Sequence, residues 1–445
     1  MIQEKLSKRP FSNTGNIGSV LALSTPFVLY WYVLFKYSLN IPFLSDDYSA
    51  VLRFLNRFVL ASGFHEKSGL LFEQYGEHRI FFNRIVELAQ YKIYGRVNFI
   101  QLIILGNIGW ALSVYVIFRE FRDSGLKIGY FIPVMFITFN FVRWDQITWA
   151  MSSIQSYYGI FFPLASLYVL TKRPGPAGLA CSLFLVAISI FTSGSGFILA
   201  PIVLLVLVSR KRYSELLVSF MVLALLFGVY FYFLNYVKPS FTPPIKGNPW
   251  RLALYSLANL GNTFMGTYMQ FEMGKSLVNS NNLNPGYNIM KSVYEAAISG
   301  MLFVISFAYL GVKGLYKRNG GFIFWSVVWI ILIGLELAVG RSGNGYQTAL
   351  ISRYSVFSAL LLSFLYIAGM DFLKENKKAL KKFAVVCSIF SILLYMVTSP
   401  MGLWLIKWRY NVLENRPFIY ASPADIQTLV ESEKLGIYQM PAGQQ

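Results

Sequence analysis

Charged side chains are scarce in this chain, and those that could do chemistry sit in a few short runs. The first is Pro42-Phe-Leu-Ser-Asp-Asp-Tyr48, with Asp46 and Asp47 side by side. A carboxylate here can take the proton of an attacking hydroxyl or hold a divalent cation such as Mg or Mn. Ser45 or Asp46 can also simply cap a following helix, but a cap uses one acidic residue and here there are two. The second run is Tyr75-Gly-Glu-His-Arg79, just after Glu73. Glu77 suits the first turn of a helix and Arg79 an interfacial anchor; Glu77, His78 and Arg79 together also suit a polar substrate. The third is Arg143-Trp-Asp-Gln-Ile-Thr-Trp149. Paired tryptophans commonly form a membrane-interface belt, and Trp149 near Asp145 also suits stacking on a sugar ring. The fourth runs from Arg341 through a Gly-rich stretch to Arg353 and Tyr354, where an arginine either clamps phosphate or snorkels at a lipid boundary. Glu336 precedes it inside an apolar run, where a carboxylate needs a partner or a solvated cavity. Arg341, about one and a half turns on, offers itself as that partner, though the offset does not place the two on one helical face.

The elements that carry these runs are apolar. Of 445 residues, 56% are hydrophobic, 17% aromatic and 13% charged, about half the charge of a soluble domain. This is the composition of an all-α, polytopic transmembrane helical bundle. A span needs about 20 apolar residues. Candidates lie at 17–37, 98–118, 128–142, 157–171, 177–192, 197–208, 214–236, 293–312, 321–340, 354–370 and 383–399, eleven if every run crosses. The runs 177–192 and 197–208 are short. Thr192-Ser-Gly-Ser-Gly196 separates them and Pro201 interrupts the second, so nine spans plus a re-entrant hairpin fit equally.

Orientation follows from the basic residues. The chain holds 39 Lys+Arg against 20 Asp+Glu, an excess that cytoplasmic loops explain without nucleic acid. With the N-terminus inside, the inner segments carry nineteen Lys and Arg and the short outer loops three. Residues 1–16 are then a cytoplasmic tail and 17–399 the membrane domain, with outer loops 38–97 and 237–292. Residues 400–445 form a short extracytoplasmic C-terminal tail with one helix near Pro423–Leu435. Within 38–97, residues 48–60 predict an amphipathic helix lying on the membrane, with Leu52, Leu55, Phe58 and Val59 down and Arg53 and Arg57 on another face. Ile80, Phe81, Ile85, Leu88 and Ala89 mark a second amphipathic stretch, with Asn83, Arg84 and Glu87 as its polar positions.

Several classes are excluded. Cys181 and Cys387 sit in apolar runs, and only His65 and His78 are present, too few for a Cys/His zinc site. No Walker loop or G-x-G-x-x-G follows a strand, and no repeat is visible. The first apolar run is too long for a signal-peptide core and reads as a retained anchor. None of the 22 asparagines begins an N-x-S/T sequon, which points to a bacterial inner membrane rather than a secretory pathway.

Asp46, Asp47, Glu77, His78, Arg79, Asp145, Arg341 and Arg353 all fall on the outer side in this layout. Many short spans, an N-inside start and an Asp-Asp pair in the first outer loop resemble the GT-C type of membrane glycosyltransferase. Gly76-Glu-His-Arg-Ile-Phe-Phe-Asn-Arg84, Gly340-Arg341 and Ser352-Arg-Tyr354 also resemble patterns in uncharacterised bacterial multi-span proteins of this type. The resemblance covers the layout of most of the chain, but specific motifs cover only these short stretches. It implies a polyprenyl-phosphate-linked (undecaprenyl-type) sugar donor, a cell-envelope glycan or lipid acceptor, and Asp46 or Asp47 as general base or metal partner. Arg79, Arg341 and Arg353 would hold phosphate and Trp149 would stack on sugar. The chain lacks the folded C-terminal domain of larger members. A transporter or flippase for a lipid-linked or anionic solute, or a polysaccharide polymerase or ligase, shares many of these features.

Overall fold

The computed structural model describes residues 17–239, 248–278 and 289–440. The expected cytoplasmic tail 1–16, residues 240–247 and 279–288 of the expected outer loop 237–292, and the last residues of the C-terminal tail lie outside the described residues. Every described element is helical apart from one isolated bridge, Tyr75 with His78.

Helix α1 (Ile17–Tyr37) leads to a short α2 (Leu44–Asp46), which runs directly into a π-helical turn (Asp47–Leu52) and α3 (Arg53–Leu60). Two further helices, α4 (Phe64–Phe72) and α5 (Phe81–Tyr94), complete the segment expected to lie outside. Gly95 ends α5 in the left-handed conformation, at φ 72°. Next come α6 (Phe99–Asp123), α7 (Ile132–Thr138), α8 (Trp144–Ile147), α9 (Ala150–Lys172), the pair α10 (Pro176–Ile190) and α11 (Ser195–Ser209), and α12 (Tyr213–Phe227), which continues as a π-helical turn (Gly228–Phe233). The remainder is α13 (Pro249–Leu260), α14 (Met265–Val278), α15 (Ile289–Val312), α16 (Phe322–Arg341), α17 (Ser355–Leu373), α18 (Lys377–Asn415) and α19 (Pro423–Lys434).

Seven of these are long and apolar enough to cross a membrane: α1, α6, α12 with its π-helical end, α15, α16, α17 and α18. Three other expected runs form shorter apolar helices, Ile128–Thr138, α10 and α11. The run 157–171 lies inside α9, whose first half carries Ser152, Ser153, Gln155 and Ser156. Large apolar side chains on α1, α12, α15 and α18 face outward, among them Phe35, Phe220, Ile305 and Ile389. Such a belt suits acyl chains.

Small residues set the closest helix crossings, as expected where lipid gives apolar contacts no advantage. A methyl group added at Gly300 of α15 would fall 2.0 Å from the Leu257 carbonyl of α13, and one at Gly261 would fall 1.9 Å from the Ala296 carbonyl of α15. On α6, a methyl at Gly106 would overlap the Ser153 hydroxyl of α9.

The polar loops gather at two ends. At one, Lys172 pairs with Glu120 at 2.7 Å and Asp123 at 3.5 Å, Arg210 donates to the Thr171 carbonyl at 2.9 Å, Arg318 pairs with Asp371 at 3.1 Å, and Asn319 reaches Ser124 at 2.7 Å. At the other, Arg341 meets Glu77, and Arg409 donates to the Asp145 carbonyl at 3.0 Å.

Both amphipathic stretches of the segment 38–97 fold differently from expectation. Leu52 and Leu55 are fully buried and Phe58 nearly so, packed among protein side chains. Part of that cover is α19, whose Thr428 carbonyl and Glu431 carboxylate accept from Asn56 at 3.2 and 3.3 Å. Helix α5 is inverted: Asn83, Arg84, Glu87 and Gln90 point inward, while Ile85 and Ile93 are exposed. The expected tail also begins later. The last span continues past Pro400 as one 39-residue helix, α18, about 58 Å long. Helix α19 lies where the sequence places it, opened by a Ser422–Asp425 capping box.

Candidate functional site

A cavity of about 730 Å³ opens between α2, the Tyr75–His78 turn, α9, the α10–α11 tip, α16 and the Arg353 turn. Of the nine residues singled out in the sequence, it collects Asp46, Glu77, His78, Trp149, Arg341 and Arg353. Asp47, Arg79 and Asp145 do not line it.

The adjacent aspartates diverge because successive residues on a helix are about 100° apart. Asp46 faces the cavity and accepts a hydrogen bond from the Tyr75 hydroxyl at 2.6 Å. Tyr75 also meets Ser49 at 2.7 Å. Burial and then the Asp46 charge raise the Tyr75 phenol well above its ordinary value, so it stays a donor. Asp47 points into the core. Its Oδ2 accepts the Phe43 N–H at 2.8 Å and its Oδ1 the Met151 N–H at 3.0 Å. These bonds clamp a strained turn, since Leu44 takes φ 55°, a left-handed conformation costing an L residue roughly 1–2 kcal/mol. Burial pushes the Asp47 carboxyl up to about 7, more than the two N–H groups lower it. Asp47 is thus tied into the core, and of the two expected aspartates only Asp46 faces the cavity.

The pair does not build a cation site either. Among the described residues no three His, Cys, Asp or Glu side chains converge as metal ligands would. Both Asp47 oxygens are occupied by main-chain donors.

Arg79 is buried, and its guanidinium donates to the carbonyls of Phe72 at 2.7 Å, Tyr230 at 3.2 Å and Leu234 at 2.6 Å. Arg84 does the same for Leu71 at 3.2 Å and Glu73 at 2.5 Å. Neither arginine is an interfacial anchor; they tie the Glu77 turn to α4 and α12. Asp145 accepts the Gln146 N–H at 2.9 Å and sits beside Arg409, away from the cavity. Arg409 is sandwiched between Phe43 at 4.7 Å and Trp144 at 5.1 Å. It donates to the Trp144 carbonyl at 3.1 Å and to the Thr148 hydroxyl, fixing the loop that carries Trp149.

The tryptophans are not a lipid-facing belt. Trp149 is 4% exposed, forms the cavity wall and carries the Arg353 guanidinium over its ring at 5.7 Å. Arg353 makes no ion pair with a described residue. Arg341 donates to Glu77 at 2.6 Å, and its carbonyl accepts from Thr348. Glu77 sits on the tight Tyr75–His78 turn rather than in a helix, with Gly76 at φ 55°. Burial, with Arg341 beside it, pushes the His78 imidazole down to about 4 against the opposing pull of Glu77, so it is neutral at physiological pH.

Family models, curated proteins and solved structures were compared with this chain, and none matches.

Sequence reading gave no role to Tyr75, although it opens the Glu-His-Arg run. It offered Arg341 as a partner for Glu336, whereas Arg341 turns to Glu77. Glu336 lies in the cavity against Gly194, and the Ser193–Ser195 tip of the hairpin lines the same space. A carboxylate within an apolar span was the signal for Glu336. Nothing in sequence signalled its contact with Gly194, which depends on the crossing of α11 and α16.

Proposed function

We propose that this protein is a membrane glycosyltransferase of GT-C type. It transfers a sugar from a polyprenyl-phosphate-linked donor to a cell-envelope glycan or lipid on the outer face of a bacterial inner membrane. The observation that carries the reading is one cavity in which Asp46, held by Tyr75, shares space with Arg353, a guanidinium that has no ion pair with a described residue and lies over Trp149.

In the proposed step, Asp46 takes the proton of an acceptor hydroxyl as its oxygen bonds to the anomeric carbon of the sugar. The bond from that carbon to the donor phosphate breaks, and its electron pair leaves with the polyprenyl phosphate. Arg353 offsets the charge that grows on the leaving phosphate. Trp149 gives an apolar face at the same wall. The step as written draws on Asp46, Arg353 and Trp149 alone.

The orientation rests on charge. The end that gathers Lys172, Arg210 and Arg318 holds the basic loops, which belong in the cytoplasm. The cavity end is then outside, where sugar nucleotides are absent and a lipid-linked donor is needed. A crossing count of eleven, or nine with α10–α11 as a hairpin, preserves this orientation.

The test is mass spectrometry of surface polysaccharide and lipid-linked glycans from cells with the gene, without it, and with Asp46→Asn. A mass difference of one sugar, absent from the deletion and from Asp46→Asn while the variant protein stays in the membrane, supports the reading. Normal product from Asp46→Asn removes Asp46 as base. No covalent difference between any of the strains points instead to a transporter or flippase, and a difference of a whole oligosaccharide to a polymerase or ligase.

A further inference from the structure

The inner end of the cavity differs chemically from the Asp46–Arg353 end. Glu336 stands there on α16, a helix whose neighbouring positions are apolar. Its carboxylate has no hydrogen bond or ion pair with any described residue, and the charge acting on it is that of Glu77, which has the same sign. An ionisable group at that depth is rare without a job.

Gly194 fixes the geometry. A methyl group on Gly194 would lie 2.4 Å from Glu336 Oε1 and 3.2 Å from His78 Cε1. Carboxylate and imidazole therefore meet over one glycine. That glycine has ordinary helical φ, −54°, so it is needed for space and not for backbone freedom. It precedes the first turn of the 15-residue helix α11, whose partial positive charge offsets an ionised Glu336.

We propose that Glu336 and His78, meeting over Gly194, form a subsite that reads the hydroxyl groups of the transferred sugar; this rests on the transferase reading. A carboxylate accepts two hydroxyl donors, and a neutral imidazole adds one donor and one acceptor. Ser156 and Gln155 line the same space with groups of matching chemistry. A phosphate does not suit this end, because Glu336 has no ion pair with a described residue and Arg341 is already engaged by Glu77, whereas Arg353 attracts it at the other. The cavity is thus divided, with an anion end and a polyhydroxyl end.

The experiment uses the full-length protein in nanodiscs. The probes are polyprenyl-phosphate glucose, galactose and mannose, each intact and as single deoxy analogues, with kcat and KM read for wild type, Glu336→Gln and Gly194→Ala. Glu336→Gln keeps shape and size, and gel filtration of each variant reports its folding. For a donor that wild type uses, Glu336→Gln raises KM by about 10- to 100-fold, the loss expected for a hydrogen bond to a charged group, and by more than it lowers kcat. Gly194→Ala, which displaces the carboxylate, shifts KM the same way. One deoxy analogue, lacking the hydroxyl that Glu336 reads, is used equally well by wild type and Glu336→Gln. An unchanged KM in Glu336→Gln for every donor that wild type uses overturns the subsite and leaves the transferase standing. No covalent glycan difference between cells with and without the gene overturns the transferase reading, and this inference with it.

Discussion

Replacing Asp47 by asparagine separates a positioning role from a reacting one through the pH dependence of stability. Both Asp47 oxygens accept main-chain N–H groups. Asparagine keeps one acceptor, but its amide nitrogen faces the other N–H, and a buried donor left without a partner costs about 1–3 kcal/mol. Burial holds the wild-type carboxyl near 7, whereas in the unfolded chain it titrates near ~3.9. Because the folded value is raised, the stabilisation from the neutral form is complete below the unfolded value. It is lost as pH rises through the folded value, at roughly 1.4 kcal/mol per pH unit, or about 4 kcal/mol in all. Asparagine does not titrate. At acid pH, below the unfolded value, the variant is therefore less stable than wild type by about 1–3 kcal/mol. The order reverses as pH rises, and above neutrality the variant is more stable by a similar amount. Glu87, which burial raises to about 8, titrates in both proteins and largely cancels in the difference. The assay is reversible unfolding by SDS in mixed micelles, followed by tryptophan fluorescence across this pH range. A difference that stays constant with pH refutes the buried neutral carboxyl. So does one that grows in favour of wild type as pH rises, the behaviour of an ion-paired aspartate.

Three further outcomes are expected. Tyr75→Phe removes the hydroxyl bonded to Asp46 and lowers kcat about 10- to 100-fold, the worth of a hydrogen bond to a charged group, with little change in unfolding; wild-type kcat would separate Tyr75 from the chemistry. Gly300→Val forces a side chain into the Leu257 carbonyl and destabilises by about 1–3 kcal/mol, read by SDS unfolding, while Gly228→Ala, which meets open space, does not. In a background with Cys181 and Cys387 replaced by alanine, His65→Cys, at an exposed position, reacts with an impermeant maleimide on intact spheroplasts and Lys378→Cys reacts only after lysis; the opposite pattern inverts the orientation.

How much was legible follows from what each feature depends on. The apolar runs, the α19 helix and the division of loops into two ends depend on local composition, and each is readable from the chain. The cavity membership of Asp46, Glu77, Arg341 and Arg353 was partly legible, because scarce charges in an apolar chain mark the places where water or substrate must reach. The facing of α5 was not legible. Its polar positions look like a water-facing stripe, but Arg84 serves carbonyls inside the protein, and the decision lies with neighbouring segments distant in sequence. The divergence of Asp46 and Asp47 could have been inferred from helical geometry alone. The burial of Trp149 could not, since a belt tryptophan and a cavity tryptophan have the same local sequence.

The short hairpin α10–α11 shows how the cavity and the membrane thickness fit together. Each helix has 15 residues, about 22 Å, against a hydrocarbon core of about 30 Å. The pair enters and leaves at the basic end of the bundle, where Arg212 donates to the Leu170 carbonyl at 3.2 Å and Arg210 to that of Thr171. A bare tip ending inside lipid would leave the polar Thr192-Ser-Gly-Ser run without partners. Here the tip meets Glu336 and His78 instead. Glu336 lies five residues before Arg341 on α16, roughly 7–8 Å along the helix axis. That depth and the length of the hairpin together come to about the thickness of the core. Under the proposed orientation, two full spans and a re-entrant hairpin then describe one structure. In that orientation the helices would rise from the cytoplasmic side by their own length, and the polar cavity would take up the remaining distance to the outer surface.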